Sequence, residues 1–206
     1  QKKQETLSLD LQIKDPHLWW PNDRGEQALY DLNLFFIPQK GKTAHAKTSF
    51  GIRTIEMRPL IDGAKEDYYN WTFVINDKPM FIKGTGWCTM DALMDFSRNK
   101  YEHLLQIAQS QHIQMLRAWG GGMPETDDFY ELCDKYGILV WQDFMFACSV
   151  YPSEGELLEN IRQEAIDNVR RLRNHPSLAL WCGNNECLEA WFGWNWKENY
   201  AKQNPE

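Results

Sequence analysis

Alternation and periodicity divide this chain into two unlike parts. Leu7, Leu9, Leu11 and Ile13 alternate with Ser8, Asp10 and Gln12, the two-residue period of a strand with one face in a core. Tyr30 to Ile37 and Thr43 to Met57 predict two further extended segments. Between them Asp15-Pro16-His17-Leu18-Trp19-Trp20-Pro21-Asn22 is too rich in Pro and Trp for a regular element. Three or four strands do not complete a sandwich of about seven, so residues 1 to 60 read as part of a β-domain. Ile61 to Tyr69 is a polar connector. Trp71 to Ile75 and Met80 to Lys83 then flank Asn76-Asp77-Lys78-Pro79, a hairpin signal.

After the hairpin the period changes. Apolar runs predict strands at Met80 to Gly84, Ile113 to Ala118, Ile138 to Trp141 and Leu178 to Trp181. Three helical patterns separate them. The first begins after Ser97 and sets Tyr101, Leu104, Leu105 and Ala108 on one face. The second, from about Pro124 to Tyr136, buries Phe129, Leu132, Cys133 and Tyr136 and stops at Gly137. The third opens on Ser153-x-x-Glu156, a capping box, and offers Leu157, Ile161, Ala165, Val169 and Leu172 to a core. Strand, helix, strand, helix implies an α/β fold, either an open doubly wound sheet or part of a (β/α)8 barrel. Each strand ends in side chains capable of chemistry: Trp87 after the first, Arg117 and Trp119 after the second, Gln142 and Asp143 after the third, Asn184, Asn185 and Glu186 after the fourth. A doubly wound sheet concentrates such residues at one switch point, whereas a barrel places them on every strand end. The barrel is the expected architecture.

Composition removes several function classes. The net charge of −7 argues against nucleic acid. No apolar stretch reaches about 18 residues, so no membrane span is expected. Gln1-Lys2-Lys3-Gln4-Glu5 is not a signal peptide; a soluble protein is expected, with a periplasmic, secreted or lysosomal parent all consistent. The five histidines lack ligand spacing and the five cysteines form no Cys-x-x-Cys pair, so neither a metal nor a cofactor is expected and the thiols read as free. Gly120-Gly121-Gly122 lacks both a following Gly-Lys-Ser/Thr and a nucleophile elbow, which weakens a phosphate cradle or an oxyanion loop.

The strongest chemical signal is Trp181-Cys182-Gly183-Asn184-Asn185-Glu186. Two amides and a carboxylate end a buried strand, which places Glu186 to exchange a proton with something bound there. The plainer alternative is a carboxylate capping the next helix near Leu188. Arg117 is suited to an ion pair with Asp143 that holds the strand ends together. Trp191, Trp194 and Trp196 follow closely, and indole rings stack on the apolar faces of sugars.

With Asn174-His175-Pro176-Ser177 before it, that phrase resembles glycoside hydrolase family 2. Leu18-Trp19-Trp20-Pro21-Asn22, Gly51-Ile52-Arg53-Thr54, Arg117-Ala118-Trp119-Gly120-Gly121-Gly122 and Trp141-Gln142-Asp143-Phe144-Met145-Phe146-Ala147-Cys148 are similar to the β-mannosidase branch. The resemblance implies an immunoglobulin-like β-sandwich, of which residues 1–60 would be the end, and a catalytic barrel, of which 61–206 would be the N-terminal half. It implies a retaining exo-glycosidase that removes terminal β-D-mannose. Glu186 would be the general acid/base and Asn185 would bind the sugar 2-hydroxyl. Arg117, Trp119 and Trp194 would line the sugar subsite, with Trp87 near by and Asp143 in support. The family's nucleophile lies on a seventh strand, so this chain is expected to be an inactive fragment. Its open half-barrel points to pairing with a second copy. The alternatives are another family 2 activity, β-galactosidase or β-glucuronidase, and a non-catalytic carbohydrate-binding module.

Overall fold

A computed structural model describes residues 7–60, 70–152 and 154–203. Three sheets follow one another along the chain. The first is an antiparallel hairpin of β1 (Tyr30–Phe36) and β2 (Ala44–Phe50). The second is antiparallel, in the order β3 (Ile55–Pro59), β4 (Trp71–Ile75), β5 (Lys78–Met80). Asn76 and Asp77 close the β4–β5 turn with φ of 48° and 62°, the positive pair that a two-residue hairpin turn requires. The third sheet is parallel and in sequence order: β6 (Gly84–Trp87), β7 (Met115–Ala118), β8 (Leu139–Asp143), β9 (Leu178–Cys182).

Helices α1 (Arg98–Ser110), α2 (Asp127–Tyr136) and α3 (Gly155–Leu172) connect the parallel strands, and α4 (Cys187–Gly193) and α5 (Trp196–Gln203) follow them. Repeated parallel βα units after antiparallel strands make the architecture that of part of a (β/α)8 barrel. Helices α1 and α2 cover one face of the sheet. There Tyr101, Leu105, Phe129, Tyr130, Leu132 and Cys133 are fully buried against Leu116, Val140 and Leu178.

The opposite, inner face of the parallel sheet is covered at its base. Met115 and Leu139 point there and pack with Trp19, Ile75 and Met80. Trp19 is fully buried; its Nε1–H donates to the Asp134 carbonyl at 2.8 Å, and its own carbonyl accepts from Asn76 Nδ2 at 3.0 Å. Asn22 donates through Nδ2 to the carbonyls of Gln109 and Ile113, and through its backbone N–H to that of Gly137. Arg53 donates to the carbonyls of Pro176 and Leu178 at 3.0 and 2.5 Å. The Pro- and Trp-rich loop is therefore a plug, anchored by side chains that replace missing ladder bonds. Gly137 ends α2 with φ of 70°, and a Cβ there would sit 2.6 Å from the Asn22 nitrogen; the tight docking of the plug requires glycine.

Four expectations change. Leu7 to Ile13 is not a strand: Leu7, Leu9 and Leu11 are 67–79% exposed, and no described strand lies beside them to share a ladder. The first parallel strand is Gly84–Trp87 rather than Met80–Gly84, because Met80 belongs to β5 and packs into the plug core. Helix α3 starts at Gly155 with Glu154 at its N-cap; Ser153 of the expected capping box lies outside the described residues, as does the connector Ile61 to Tyr69. Only Leu172 of the expected α3 face is buried, and Leu157 is 42% exposed.

Candidate active site

The inner face of the sheet turns polar toward the C-terminal ends of its strands. Arg117 on β7 lies opposite Trp141 on β8, and Asp143 lies opposite Cys182 on β9. The Arg117 guanidinium sits over the Trp141 ring, 5.1 Å from its centroid. Asp143 is buried and accepts from Arg117 Nε at 3.2 Å and Nη2 at 2.8 Å. It also accepts from the backbone N–H of Gly120 at 3.1 Å. A forked, charge-assisted pair of this kind fixes both side chains, and the hydrogen bonds to Asp143 raise the Arg117 guanidinium further above its ordinary value.

The chain of contacts continues to Glu186. Arg117 Nη2 also donates to Asn185 Oδ1 at 3.0 Å. Asn185 Nδ2 in turn donates to Glu186 Oε2 at 3.0 Å. Asp143, Arg117, Asn185 and Glu186 thus form one hydrogen-bonded line across the ends of three adjacent strands. Asn185 is 6% exposed, so both of its amide groups are committed within the line. Glu186 itself is exposed. It occupies the N-cap position of α4 with φ of 59°, and its side chain makes no capping bond. Asn184 serves that need instead, its Oδ1 accepting from the Cys187 N–H at 3.1 Å. The left-handed backbone is uncommon for a residue with a Cβ and turns the carboxylate toward Asn185 rather than along the helix.

The loop after β8 completes the surroundings. Asn185 N–H donates to the Phe146 carbonyl at 2.7 Å, and Cys148 N–H donates to the Asn185 carbonyl at 3.1 Å. This brings the Cys148 thiol to Glu186 Oε2, to which it donates at 3.2 Å. Glu186 accordingly pushes the Cys148 thiol up, through that hydrogen bond first. All five cysteines are free thiols.

The expected site residues fall into two groups. Glu186, Asn185, Arg117 and Asp143 come together. Trp119 follows β7, and its ring folds back on Gly121, where a Cβ would lie 2.1 Å from the indole. Gly121 serves this close packing, while Gly120 lies against the Phe144 carbonyl. Trp194 is 43% exposed and meets Trp196 edge-on, with ring centroids 6.0 Å apart; no described contact joins it to Glu186. Trp87 lies on the other side of the sheet. It is in register with Ala118, packs against Phe129 and Tyr101, and donates from Nε1 to Glu125 at 2.9 Å. Strand parity is the reason: Gly86, opposite Arg117, faces inward, so its neighbour faces the helices. Trp141 and Cys148 were not singled out from sequence. Strand alternation with Asp143 places Trp141 on the inner face, whereas nothing in sequence spacing links Cys148 to a residue 38 positions away.

No described cluster of His, Cys, Asp and Glu could hold a metal ion, and no described helix is long and apolar enough to cross a membrane.

Comparison with known proteins gives concordant matches. Residues 1–53 match the family described as Glycosyl hydrolases family 2, and residues 69–203 match its TIM barrel domain. Over 195 residues the chain is 37% identical to Beta-mannosidase B of Emericella nidulans, covering 94% of this chain and 23% of that protein. Over 202 residues it is 36% identical to Beta-mannosidase B of Aspergillus fumigatus, covering 98% of this chain and 24% of the relative. The crystal structure of Beta-D-mannosidase from Dictyoglomus thermophilum superposes with a TM-score of 0.78 at 46% identity, covering 85% of this chain and 22% of that one. The chain thus spans about a quarter of the length of the relatives it matches.

Proposed function

The chain belongs to glycosyl hydrolase family 2, and from that premise we propose that it carries the acid/base side of a retaining exo-glycosidase site for terminal β-D-mannosides. Glu186 is the general acid/base in this reading. Protonated, it gives a proton to the leaving glycosidic oxygen; ionised, it then takes one from water. The observation that carries the reading is the line Asp143–Arg117–Asn185–Glu186. It holds an exposed carboxylate in a fixed direction at the C-terminal ends of parallel strands, where barrel enzymes place their chemistry. The mannosidase names of the relatives supply the sugar. Arg117, with its side chain 34% exposed, is the cation that faces a sugar hydroxyl. Asn185 reaches the 2-hydroxyl by exchanging one of its internal bonds. Trp119 and Trp194 are proposed to close on the sugar as apolar walls.

Retaining hydrolysis also needs a second carboxylate about 5–5.5 Å from the first, as nucleophile. Asp143 does not suit that role, because it is buried and occupied by Arg117 and Gly120. The 206 residues alone are therefore proposed to be inactive. The same reading divides the chain into residues 1–60, part of an immunoglobulin-like sandwich, and 61–206, the first half of the barrel. It keeps pairing of two copies through the open inner face as a proposal. A monomer at high concentration in light scattering would remove that pairing.

The test of the main reading uses this chain within a protein of its relatives' full length. Aryl β-D-mannoside, galactoside and glucuronide are supplied to the wild type and to Glu186→Gln. Mannoside cleavage that falls by about 10²–10⁴-fold in the variant is expected. Preference for another glycoside, or undiminished cleavage by the variant, refutes it.

A further inference from the structure

The loop after β8 touches Glu186 with a group that the acid/base reading leaves without a task. Among the described residues, both hydrogen bonds accepted by the Glu186 carboxylate land on one oxygen, Oε2: one from Asn185 Nδ2 at 3.0 Å, the other from Cys148 Sγ at 3.2 Å. We propose that Cys148 is a positioning residue for Glu186, its S–H and the Asn185 amide clamping Oε2 so that Oε1 is the oxygen that carries the proton to the substrate. The proposal rests on the acid/base reading and adds to it which oxygen works.

The backbone is built for this contact. Cys148 and Glu186 both adopt left-handed conformations, with φ of 45° and 59°. Such conformations cost free energy in residues with a Cβ and persist only where the surroundings hold them. Here the Asn185–Phe146 and Cys148–Asn185 backbone bonds lock the two loops side by side. Asn185 Nδ2 also lies 3.5 Å from Cys148 Sγ, so amide, thiol and carboxylate form a closed triangle. A thiol is a weak donor. It holds the direction of the carboxyl group without competing strongly for the oxygen it contacts.

The charged and titratable groups around the thiol are few. Glu186 bonds it directly and Cys187 lies near, while Arg117 reaches it only through Asn185. Because Glu186 keeps the thiol protonated, Cys148 is a donor at neutral pH and a poor nucleophile.

Two measurements test this, the first on the 206-residue chain. In the first, iodoacetamide alkylation of each cysteine is followed by peptide mass spectrometry across pH. In Glu186→Gln the Cys148 thiol loses its charged acceptor and is expected to alkylate about threefold faster at fixed pH. Exposed Cys88 serves as the unchanged reference. In the second, mannoside cleavage by a protein of the relatives' full length that carries this chain is compared in the wild type, Cys148→Ala and Cys148→Ser. Loss of the donor is expected to lower kcat by about tenfold with KM little changed, and serine to restore most of it. Identical alkylation profiles, or a Cys148→Ala variant with the wild-type kcat, overturn the positioning role. Alkylation as expected, combined with undiminished mannoside cleavage by Glu186→Gln in the full-length protein, overturns instead the acid/base reading beneath it.

Discussion

Replacing Asp143 by alanine tests whether the polar line is structural as well as chemical. The side chain is fully buried and accepts three hydrogen bonds, two from Arg117 and one from Gly120. Alanine leaves the Gly120 N–H, packed under the β8 loop, without a partner, at about 1–3 kcal/mol. It also strands the Arg117 charge. Breaking a buried pair costs about 3–5 kcal/mol, but the Arg117 side chain is 34% exposed, so water recovers most of that and about 1–2 kcal/mol remains. The sum is about 3 kcal/mol. With a urea slope of about 2 kcal/mol/M, the tryptophan-fluorescence midpoint should fall by about 1.5 M. Asp143→Asn keeps an oxygen for Gly120 and Arg117 Nη2 but loses the charge and turns an NH2 toward Arg117 Nε, so about half that drop is expected. Arg117→Met combined with Asp143→Ala should be more stable than Asp143→Ala alone, because no unpaired cation remains. A midpoint for Asp143→Ala within experimental error of wild type would refute the view that this carboxylate anchors the strand ends.

The other expectations concern the base and the helix side. Trp19→Ala removes a fully buried indole and its bond to the Asp134 carbonyl; a loss of about 3–5 kcal/mol in urea unfolding is expected, and Trp19→Phe should recover more than half. Gly137→Ala places a Cβ at positive φ within 2.6 Å of the Asn22 nitrogen, so a loss of about 1–2 kcal/mol and faster amide exchange at Asn22 should follow. Burial raises Glu125 above its ordinary value of 4.5, opposed by hydrogen bonds from Tyr101 and Trp87. The folded chain thus binds this proton more tightly than the unfolded one. Its contribution to stability is complete below pH 4.5 and is lost as pH rises through the folded value. Glu125→Gln should therefore flatten the stability profile measured between about pH 4 and 7, and an unchanged slope would assign the dependence elsewhere.

Three strands of the parallel sheet were legible because β7, β8 and β9 read as apolar runs ending in polar residues, β7 and β8 being largely buried. Strand-end position brought Arg117, Asp143 and Asn185 to the same end of the sheet as Glu186, and the family resemblance grouped them as a site. The first parallel strand was displaced because Gly84-Thr85-Gly86-Trp87 carries no apolar run; two glycines face the inner side and leave only Trp87 as a signal. Strand-end position alone did not reveal which face Trp87 takes. That depends on register, which is set by pairing with β7 rather than by local sequence. Leu7 to Ile13 shows the converse: alternation describes what a strand needs, and without a partner the pattern is not sufficient. The thiol at Glu186 was beyond reach, since loop conformation at two left-handed residues decides it.

The anchoring of Trp19, Asn22 and Arg53 under the parallel sheet bears on how such proteins can be recombined. A chimera joined near residue 60 would give the incoming barrel a foreign stopper, with a foreign ring where Trp19 fits. The natural seam for exchange lies upstream of Leu18, so that barrel and stopper are inherited together.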